Sequence, residues 1–157
     1  MNNLWQQIID ADTKNQTVME VKADGNRPSY ANEYAAGLDI RASIDNPITI
    51  KAGEVAEVPT KLAVAIPNGC FGLVTIRSGL GFKHGITLIN NVGIIDEDYR
   101  GYVGIKLVNN GKADYTIIDG DRVAQMIIIP YIQPAVIFVD KLNETQRGKR
   151  GFGSSGR

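Results

Sequence analysis

Clusters of turn-forming residues recur at short intervals along this chain, and the stretches between them are short and apolar. The turn clusters, which combine glycine, proline, asparagine, lysine and aspartate, lie at 45–47, 51–53, 67–69, 109–111 and 119–121. Apolar residues alternate with other residues at 19–23, 48–50, 62–66, 103–107 and 123–129. This pattern predicts an all-β sandwich or barrel of short strands. Alternating strand–helix units do not occur, which argues against a Rossmann sheet.

The first residues follow a different pattern. Leu4, Trp5, Ile8 and Ile9 recur at helical spacing and predict a short N-terminal helix. A length of 157 residues fits one domain with its own core. We therefore expect a single domain over residues 1–157, with an N-terminal extension at 1–17 and a flexible C-terminal lid at 141–157.

Charge and composition narrow the function classes. Lysine plus arginine equals aspartate plus glutamate, 17 each, which argues against a general nucleic-acid or membrane-surface binder. Cys70 and His84 are the only residues of their types, so an internal disulfide and a cysteine-based zinc site are excluded. No apolar run reaches membrane-spanning length and no signal-peptide pattern opens the chain, so we expect a soluble, cytoplasmic protein.

The C-terminal stretch Gly151-Phe152-Gly153-Ser154-Ser155-Gly156 matches the dinucleotide spacing G-x-G-x-x-G. In that fingerprint the glycines turn a strand into a helix, whereas only Arg157 follows here. The Rossmann interpretation therefore fails. The glycines, serines and arginines of this tail still suit phosphate oxygens, and a polar, glycine-rich tail is best ordered by a ligand, as a lid.

Four further segments carry candidate chemistry. In AGLDI (36–40), Asp39 is either a strand-end cap or a functional carboxylate. RSG (77–79) combines a forked cation, a hydroxyl and a glycine, and is either an anion site or a surface turn. His84, nearby, is interpreted as a structural or surface residue.

The third segment, NNVGIIDEDYRG (90–101), has an apolar stretch on each side of 96–101, which predicts a hairpin tip. Asp96 follows the apolar Ile94 and Ile95 directly, so partial burial would suit it to act as a base. Glu97 and Asp98 are interpreted as solvated turn charges. In the fourth segment, GDRVAQ (120–125), Gln125 is a polar residue in an apolar strand and needs hydrogen-bond partners.

In this order, the four segments and the tail resemble the five motifs of the trimeric deoxyuridine triphosphatase (dUTPase) family. The resemblance runs from about Ala35 to Gly156, although Ile76 stands where a proline is usual and Arg150 where a glycine is usual. Any one motif is weakly specific, but five in order are highly specific. The substitution at 150 suggests a lid that is less flexible and more cationic than usual.

The resemblance implies a distorted jelly-roll or β-clip barrel of short, mostly antiparallel strands. It also implies a homotrimer with three active sites, each built from three subunits. The implied reaction is hydrolysis of dUTP to dUMP and pyrophosphate with Mg²⁺, which keeps uracil out of DNA and supplies dUMP for dTMP synthesis. The physical requirements agree, because phosphate hydrolysis needs an activated water and neutralised charge more than a covalent nucleophile.

The resemblance also implies residue roles. Asp96 would activate the water that attacks the α-phosphorus, and Tyr99 would pack on the deoxyribose and exclude a 2′-hydroxyl. Asp39 would act through water on a metal held mainly by the substrate phosphates. Uracil would be read by Asn90 with backbone groups near Ile94, Ile95 and Gly104. Phosphates would be held by Arg77, Ser78, Gly79 and Gln125. The residues that would close over the nucleotide, with Phe152 stacked on uracil, are Arg147, Phe152, Gly153, Ser154 and Ser155.

Three alternatives stay open. A dCTP deaminase shares the implied fold, but the 94–101 segment and the tail argue against it. A nucleotide-sensing or protein-binding module on the same scaffold would bind dUTP without turnover. An unrelated β domain with a flexible tail is the remaining possibility, since single motifs discriminate poorly.

Overall fold

Short antiparallel strands dominate the computed structural model of the chain, which describes residues 18–151. In chain order the elements are β1 (Glu20–Ala23), β2 (Ser29–Tyr30), β3 (Leu38–Arg41), β4 (Ile48–Ile50), β5 (Val55–Val58), β6 (Leu62–Ala65), β7 (Cys70–Thr75), α1 (Ser78–His84), β8 (Ile86–Leu88), β9 (Gly93–Ile95), β10 (Ile105–Asn109), β11 (Tyr115–Ile117) and β12 (Arg122–Pro130). The all-β prediction is confirmed, and β1, β4, β6, β10 and β12 lie where the alternation placed strands. The helix predicted near the N-terminus falls outside the described residues.

The strands form four sheets. The largest has the order β2-β3-β12-β7-β9, and a three-stranded sheet has the order β5-β10-β8. Two further pairs are β1-β6 and β11-β4. Because these sheets stay separate, the described residues form a distorted jelly roll rather than one closed barrel.

Strand β12 is the centre of the largest sheet, since it pairs with β3 on one side and β7 on the other. Its sequence RVAQMIIIP is rich in β-branched residues, which pack well on a pleated surface. Val123, Ala124 and Met126 are buried in the core with Ile40 of β3 and Val74 of β7. Buried at Val123, Ala124 and Met126 and paired on both edges, β12 is a well-supported platform for the polar side chains that it carries.

Helix α1 was not predicted, because the RSG segment was interpreted as an anion site or a turn. Two glycines in SGLGFKH lower its helix propensity. Leu80 anchors the helix in the core, and Gly85 ends it in the left-handed conformation with φ of 69°. A glycine just past the last helical residue is a common stop signal, and it was available in the sequence.

The prediction of a hairpin tip at 96–101 is wrong. Strand β9 pairs with β7, whereas β10 pairs with β5 and β8. The segment 96–104 therefore crosses from one sheet to another. The error arose because both strands have partners that are distant in sequence.

Beyond β12, residues 131–151 contain no strand or helix. This segment, the C-terminal arm, carries large apolar side chains that are exposed, with Phe138 at 98% and Ile132 at 91% exposure. In the part of the chain that the structure describes, no helix has the length and hydropathy needed to span a membrane.

Candidate active site

The register of the largest sheet brings distant sequence segments into one row. Gln125 of β12 is aligned with Asp39 of β3 on one side and with Thr75 of β7 on the other. Residues aligned across neighbouring strands have side chains on the same face of the sheet. The AGLDI, RSG and GDRVAQ segments therefore meet at this row, since Arg77 lies two residues beyond Thr75, the last residue of β7.

Asp39 is the charged centre of this row and is only 2% exposed. Its Oδ1 lies 2.7 Å from Nε of Arg77, and its Oδ2 lies 3.2 Å from Nη1 of Arg122. A buried carboxylate needs such partners, because an unpaired one is strongly destabilising. We call Asp39, Arg77, Arg122 and Gln125 the Asp39 cluster.

Arg122 lies in the GDRVAQ segment, but no role was predicted for it from the sequence. A β-bulge lies between Arg122 and Ala124, so that Arg122 rather than Val123 is aligned with Arg41. One extra residue in a strand moves the following side chains to the opposite face. The bulge thus turns Arg122 to the face that carries Asp39, and this irregularity left no signal in the alternation.

Gln125 is half-buried, and its Nε2 donates to the carbonyl of Ile76 at 3.4 Å. A Cβ at position 37 would lie 2.5 Å from Oε1 of Gln125. Glycine is therefore required at 37 for Gln125 to keep this position. Gly37 thus allows the AGLDI backbone to pack closely against the Gln125 amide.

A cavity of about 270 Å³ opens beside the cluster. Cationic and neutral donors outnumber acids in its lining, which includes Arg77, Gly79, Lys83, His84, Arg122, Tyr115 and Asp121. The Tyr115 and His84 rings are 4.8 Å apart. Burial, together with the Asp121 carboxylate, raises the pKa of Tyr115, so its hydroxyl remains a neutral donor. The lining suits an anion.

A second group of predicted residues meets around the segment 96–104, and we call it the Asp96 region. Leu88 is aligned with Leu107, and Ile89 N donates to Lys106 O at 3.0 Å. This register brings Asn90 towards the start of β10. The Asn90 Nδ2 also lies 3.8 Å from where a Cβ of Gly93 would stand. Asn90 and the backbone of 93–95 therefore line one side of an open surface.

Asp96 directly follows β9 and is exposed, as is Asp98. The expectation of partial burial for Asp96 is therefore wrong for the single chain, because the strand ends at Ile95 and the next turn projects into solvent. Glu97 also differs from prediction. It is half-buried, and its Oε2 accepts a hydrogen bond from Gly69 N at 2.7 Å, so it holds the turn that precedes β7.

Tyr99 is held by its neighbours in the loop. Its hydroxyl donates to the carbonyl oxygen of Tyr102 at 3.0 Å. A Cβ at position 101 would lie 2.5 Å from the Tyr99 hydroxyl, so a side chain there would displace the Tyr99 ring. The ring therefore has a defined position although it is 43% exposed.

The two groups are far apart within one chain. Strands β12 and β7 separate β3 from β9, so Asp39 and Asp96 differ by three strand spacings, about 14 Å. The register adds an offset of four residues along the strands, about 13 Å. A ligand the size of one phosphate group cannot touch both carboxylates of the same chain.

The C-terminal arm does not join either group in the described residues. Nε of Arg147 donates to Arg150 O at 3.1 Å, and Nη2 donates to Gly151 O at 3.5 Å. Arg150 in turn donates from Nε to Arg147 O at 3.0 Å and from Nη2 to Gln146 O. Phe152, Gly153, Ser154 and Ser155 lie outside the described residues.

A metal would have few protein ligands here. Over residues 18–151, no group of three histidine, cysteine, aspartate or glutamate side chains is placed to hold an ion. Both oxygens of Asp39 face arginines, but each retains a lone pair that can accept from water. The donor set fits only an ion that arrives with its own phosphate ligands.

A model of the dUTPase family matches residues 23–156, which include all five motifs. The chain belongs to the dUTPase family. The deoxyuridine 5'-triphosphate nucleotidohydrolase of Rickettsia felis is 48% identical over 132 residues, covering 84% of this chain and 89% of that protein. The enzyme of the same name from Aeromonas hydrophila subsp. hydrophila is 45% identical over 131 residues, covering 83% of this chain and 86% of that protein.

Solved dUTPase structures are similar in fold. The Staphylococcus bacteriophage 80alpha dUTPase with dUPNHPP has a TM-score of 0.80 and 28% identity, covering 90% of this chain and 100% of that chain. A mutant dUTPase from phage phi11 of S. aureus, in which a structural Mg(II) ion is coordinated, has a TM-score of 0.72 and 27% identity, covering 80% of this chain and 98% of that chain.

Proposed function

We propose that this dUTPase hydrolyses dUTP to dUMP and pyrophosphate by attack of water on the α-phosphorus. The observation that carries the proposal is a family match that spans every motif from AGLDI to GFGSSG. In the cell, this reaction would keep uracil out of DNA and supply dUMP for dTMP synthesis. The absence of any disulfide-forming cysteine pair is consistent with action in the cytoplasm.

The Asp39 cluster is proposed to bind the triphosphate. Arg77 is fixed by Asp39, and the adjacent Ser78 and Gly79 are exposed at the start of α1, where the first backbone N–H groups have no acceptor within the helix. Gln125 offers an amide on the same face. These donors are placed before the substrate arrives, so little reorganisation is needed to stabilise phosphate charge.

The Asp96 region is proposed to bind the nucleoside and activate water. Asn90 and the backbone near Ile94, Ile95 and Gly104 would hydrogen-bond the uracil edge. Tyr99, held by Tyr102 O and Gly101, would pack on the deoxyribose and exclude a 2′-hydroxyl. Asp96, exposed at the end of β9, would accept a proton from the attacking water.

Mg²⁺ is the proposed cofactor, carried by the substrate phosphates and contacted through water by Asp39. When bound, it would neutralise phosphate charge. The protein residues would do the remaining work: Arg77 and Gln125 orient the phosphates, and Asp96 takes the proton.

A homotrimer with shared active sites is the proposed assembly. The separation of the Asp39 cluster from the Asp96 region supports it, because one triphosphate must reach a phosphate site and a base together. A neighbouring subunit would supply the missing half. The exposed apolar residues of the C-terminal arm also support the trimer, because such a surface is normally covered by a partner.

The end of the chain would close over the nucleotide of another subunit in this trimer. The residues proposed to do so are Arg147, Phe152, Gly153, Ser154 and Ser155. The single-domain division, with 1–17 as an extension and 141–157 as a lid, stays a prediction.

The test is dUTP turnover with Mg²⁺ in ¹⁸O-labelled water. Attack at the α-phosphorus places the label in dUMP and leaves pyrophosphate unlabelled. Label in pyrophosphate would contradict the proposed attack. Release of ammonia from dCTP would support the deaminase alternative, and tight binding of dUPNHPP without dUTP turnover would support the sensing module.

A further inference from the structure

The loop that carries Tyr99 is anchored to strand β1 by a cluster outside the dUTPase motifs. The hydroxyl of Tyr102 donates to Oδ2 of Asp24, the residue that follows β1. Nζ of Lys22, within β1, lies 2.8 Å from the same Oδ2 and 5.5 Å from the centre of the Tyr102 ring. One carboxylate thus joins a hydrogen bond, an ion pair and a cation–π contact.

Tyr102, a member of this cluster, also contacts Tyr99 directly. The carbonyl oxygen of Tyr102 accepts the hydrogen bond of the Tyr99 hydroxyl at 3.0 Å. The next residue, Val103, is buried and fixed to β6, because its N donates to Leu62 O at 2.7 Å. The backbone at 102 is therefore held from one side by Val103 and from the other by the Tyr102 ring.

We propose that Lys22, Asp24 and Tyr102 form a clamp that positions Tyr99 and thereby sets how strongly the enzyme prefers dUTP over UTP. The inference rests on the proposed function, in which Tyr99 contacts the sugar. These are positioning residues, since they act through Tyr99 and its loop. A ring that shifts by a fraction of an ångström leaves space beside the 2′ carbon, so weakening the clamp admits the ribonucleotide.

Within the clamp, Lys22 and Asp24 stabilise each other's charged forms. The hydrogen bond from Lys22, with that from Tyr102, holds the pKa of the Asp24 carboxyl below its usual value. The hydrogen bond to Asp24 raises the pKa of Lys22. The carboxylate therefore stays a strong acceptor at neutral pH.

The direct test compares kcat/KM for dUTP and for UTP in the full-length enzyme. Tyr102→Phe keeps the ring but removes the donor to Asp24. We expect the dUTP-over-UTP ratio to fall roughly three- to tenfold, the size of an exposed, charge-assisted hydrogen bond. Asp24→Ala should lower the ratio similarly, whereas Asp24→Asn, which retains an acceptor, should retain most of it.

Two controls separate positioning from general damage. Tyr34→Phe changes a tyrosine that is 88% exposed and should leave the ratio unchanged. In the double variant Tyr99→Phe/Tyr102→Phe, the dUTP-over-UTP ratio should fall no further than in the worse single variant, since both changes act through the Tyr99 ring. A structural defect alone would lower kcat/KM equally for dUTP and UTP and leave their ratio constant.

The proposal and the proposed function fail separately. If the wild-type enzyme does not hydrolyse dUTP, the proposed function is wrong. If it does, but Tyr102→Phe and Asp24→Ala keep the wild-type ratio, the clamp is wrong while the dUTPase activity stands.

Discussion

The Asp39 cluster and the Asp96 region are built in opposite ways. In the Asp39 cluster, sheet register aligns the residues, and the carboxylate is buried between two arginines. In the Asp96 region, a segment that crosses between sheets presents an exposed carboxylate and a tyrosine held by turn contacts. The first is complete within one chain. The second offers a surface that a neighbouring subunit and a ligand would complete.

The largest expected effect separates chemistry from stability. Asp96→Asn removes the proposed base and should lower kcat for dUTP by roughly a hundredfold or more. Because Asp96 is exposed, urea unfolding should give nearly the wild-type midpoint. Asp98→Asn is the matched control and should retain activity. Equal activity of Asp96→Asn and wild type would remove Asp96 from the mechanism.

Asp39→Asn should affect both stability and substrate binding. Loss of the charge leaves Arg77 and Arg122 without their partner, which should lower the free energy of unfolding by about 3 kcal/mol. KM for dUTP should rise as well, since Arg77 is no longer held in place. Urea denaturation and steady-state kinetics measure the two effects. An unchanged unfolding midpoint would show that the ion pairs do not hold the cluster together.

Gly37→Ala tests the packing within the Asp39 cluster. The added methyl would lie 2.5 Å from Oε1 of Gln125, so the amide must move. We expect about 1–3 kcal/mol of destabilisation and a higher KM. Gly81→Ala is the matched control, because the nearest atom would be 3.8 Å away, and a helical alanine should be neutral or stabilising. Equal stability of the two variants would contradict the packing argument.

The smallest effect concerns Arg150 of the C-terminal arm. Its guanidinium donates to arm carbonyls in the described chain, but its charge stands near the end that is proposed to cover the triphosphate. Arg150→Gly should reduce the salt dependence of KM for dUTP, because one cation fewer faces the phosphates. An identical salt slope in both proteins would exclude an electrostatic role for this residue.

The sequence predicted the parts of the fold that depend on local pattern. The alternation around Val123–Ile129 indicated β12, and the turn clusters separated the strands. The pairing of β9 with β7, and of β10 with β5 and β8, joins residues that are distant in sequence, so a hairpin was predicted where a crossing occurs.

The site divided in a similar way. The family resemblance identified Asp39, Arg77 and Gln125, whose proximity the sheet register supports. The partnership of Arg122 depends on a bulge, and the clamp at Asp24 depends on contact between β1 and a loop 78 residues later. Such long-range contacts produce no periodic pattern in the sequence. The exposure of Asp96 was also mispredicted, because its two apolar neighbours suggested burial.

The most direct measurement mixes two defective proteins. Arg77→Ala disables the phosphate side, with an expected loss of roughly ten- to a hundredfold in kcat/KM, and Asp96→Asn disables the base. If each active site takes Arg77 from one subunit and Asp96 from another, co-refolding equal amounts should restore about a quarter of wild-type dUTP turnover, because about one site in four receives both intact residues. Activity no higher than the mean of the two separate variants would contradict the shared site.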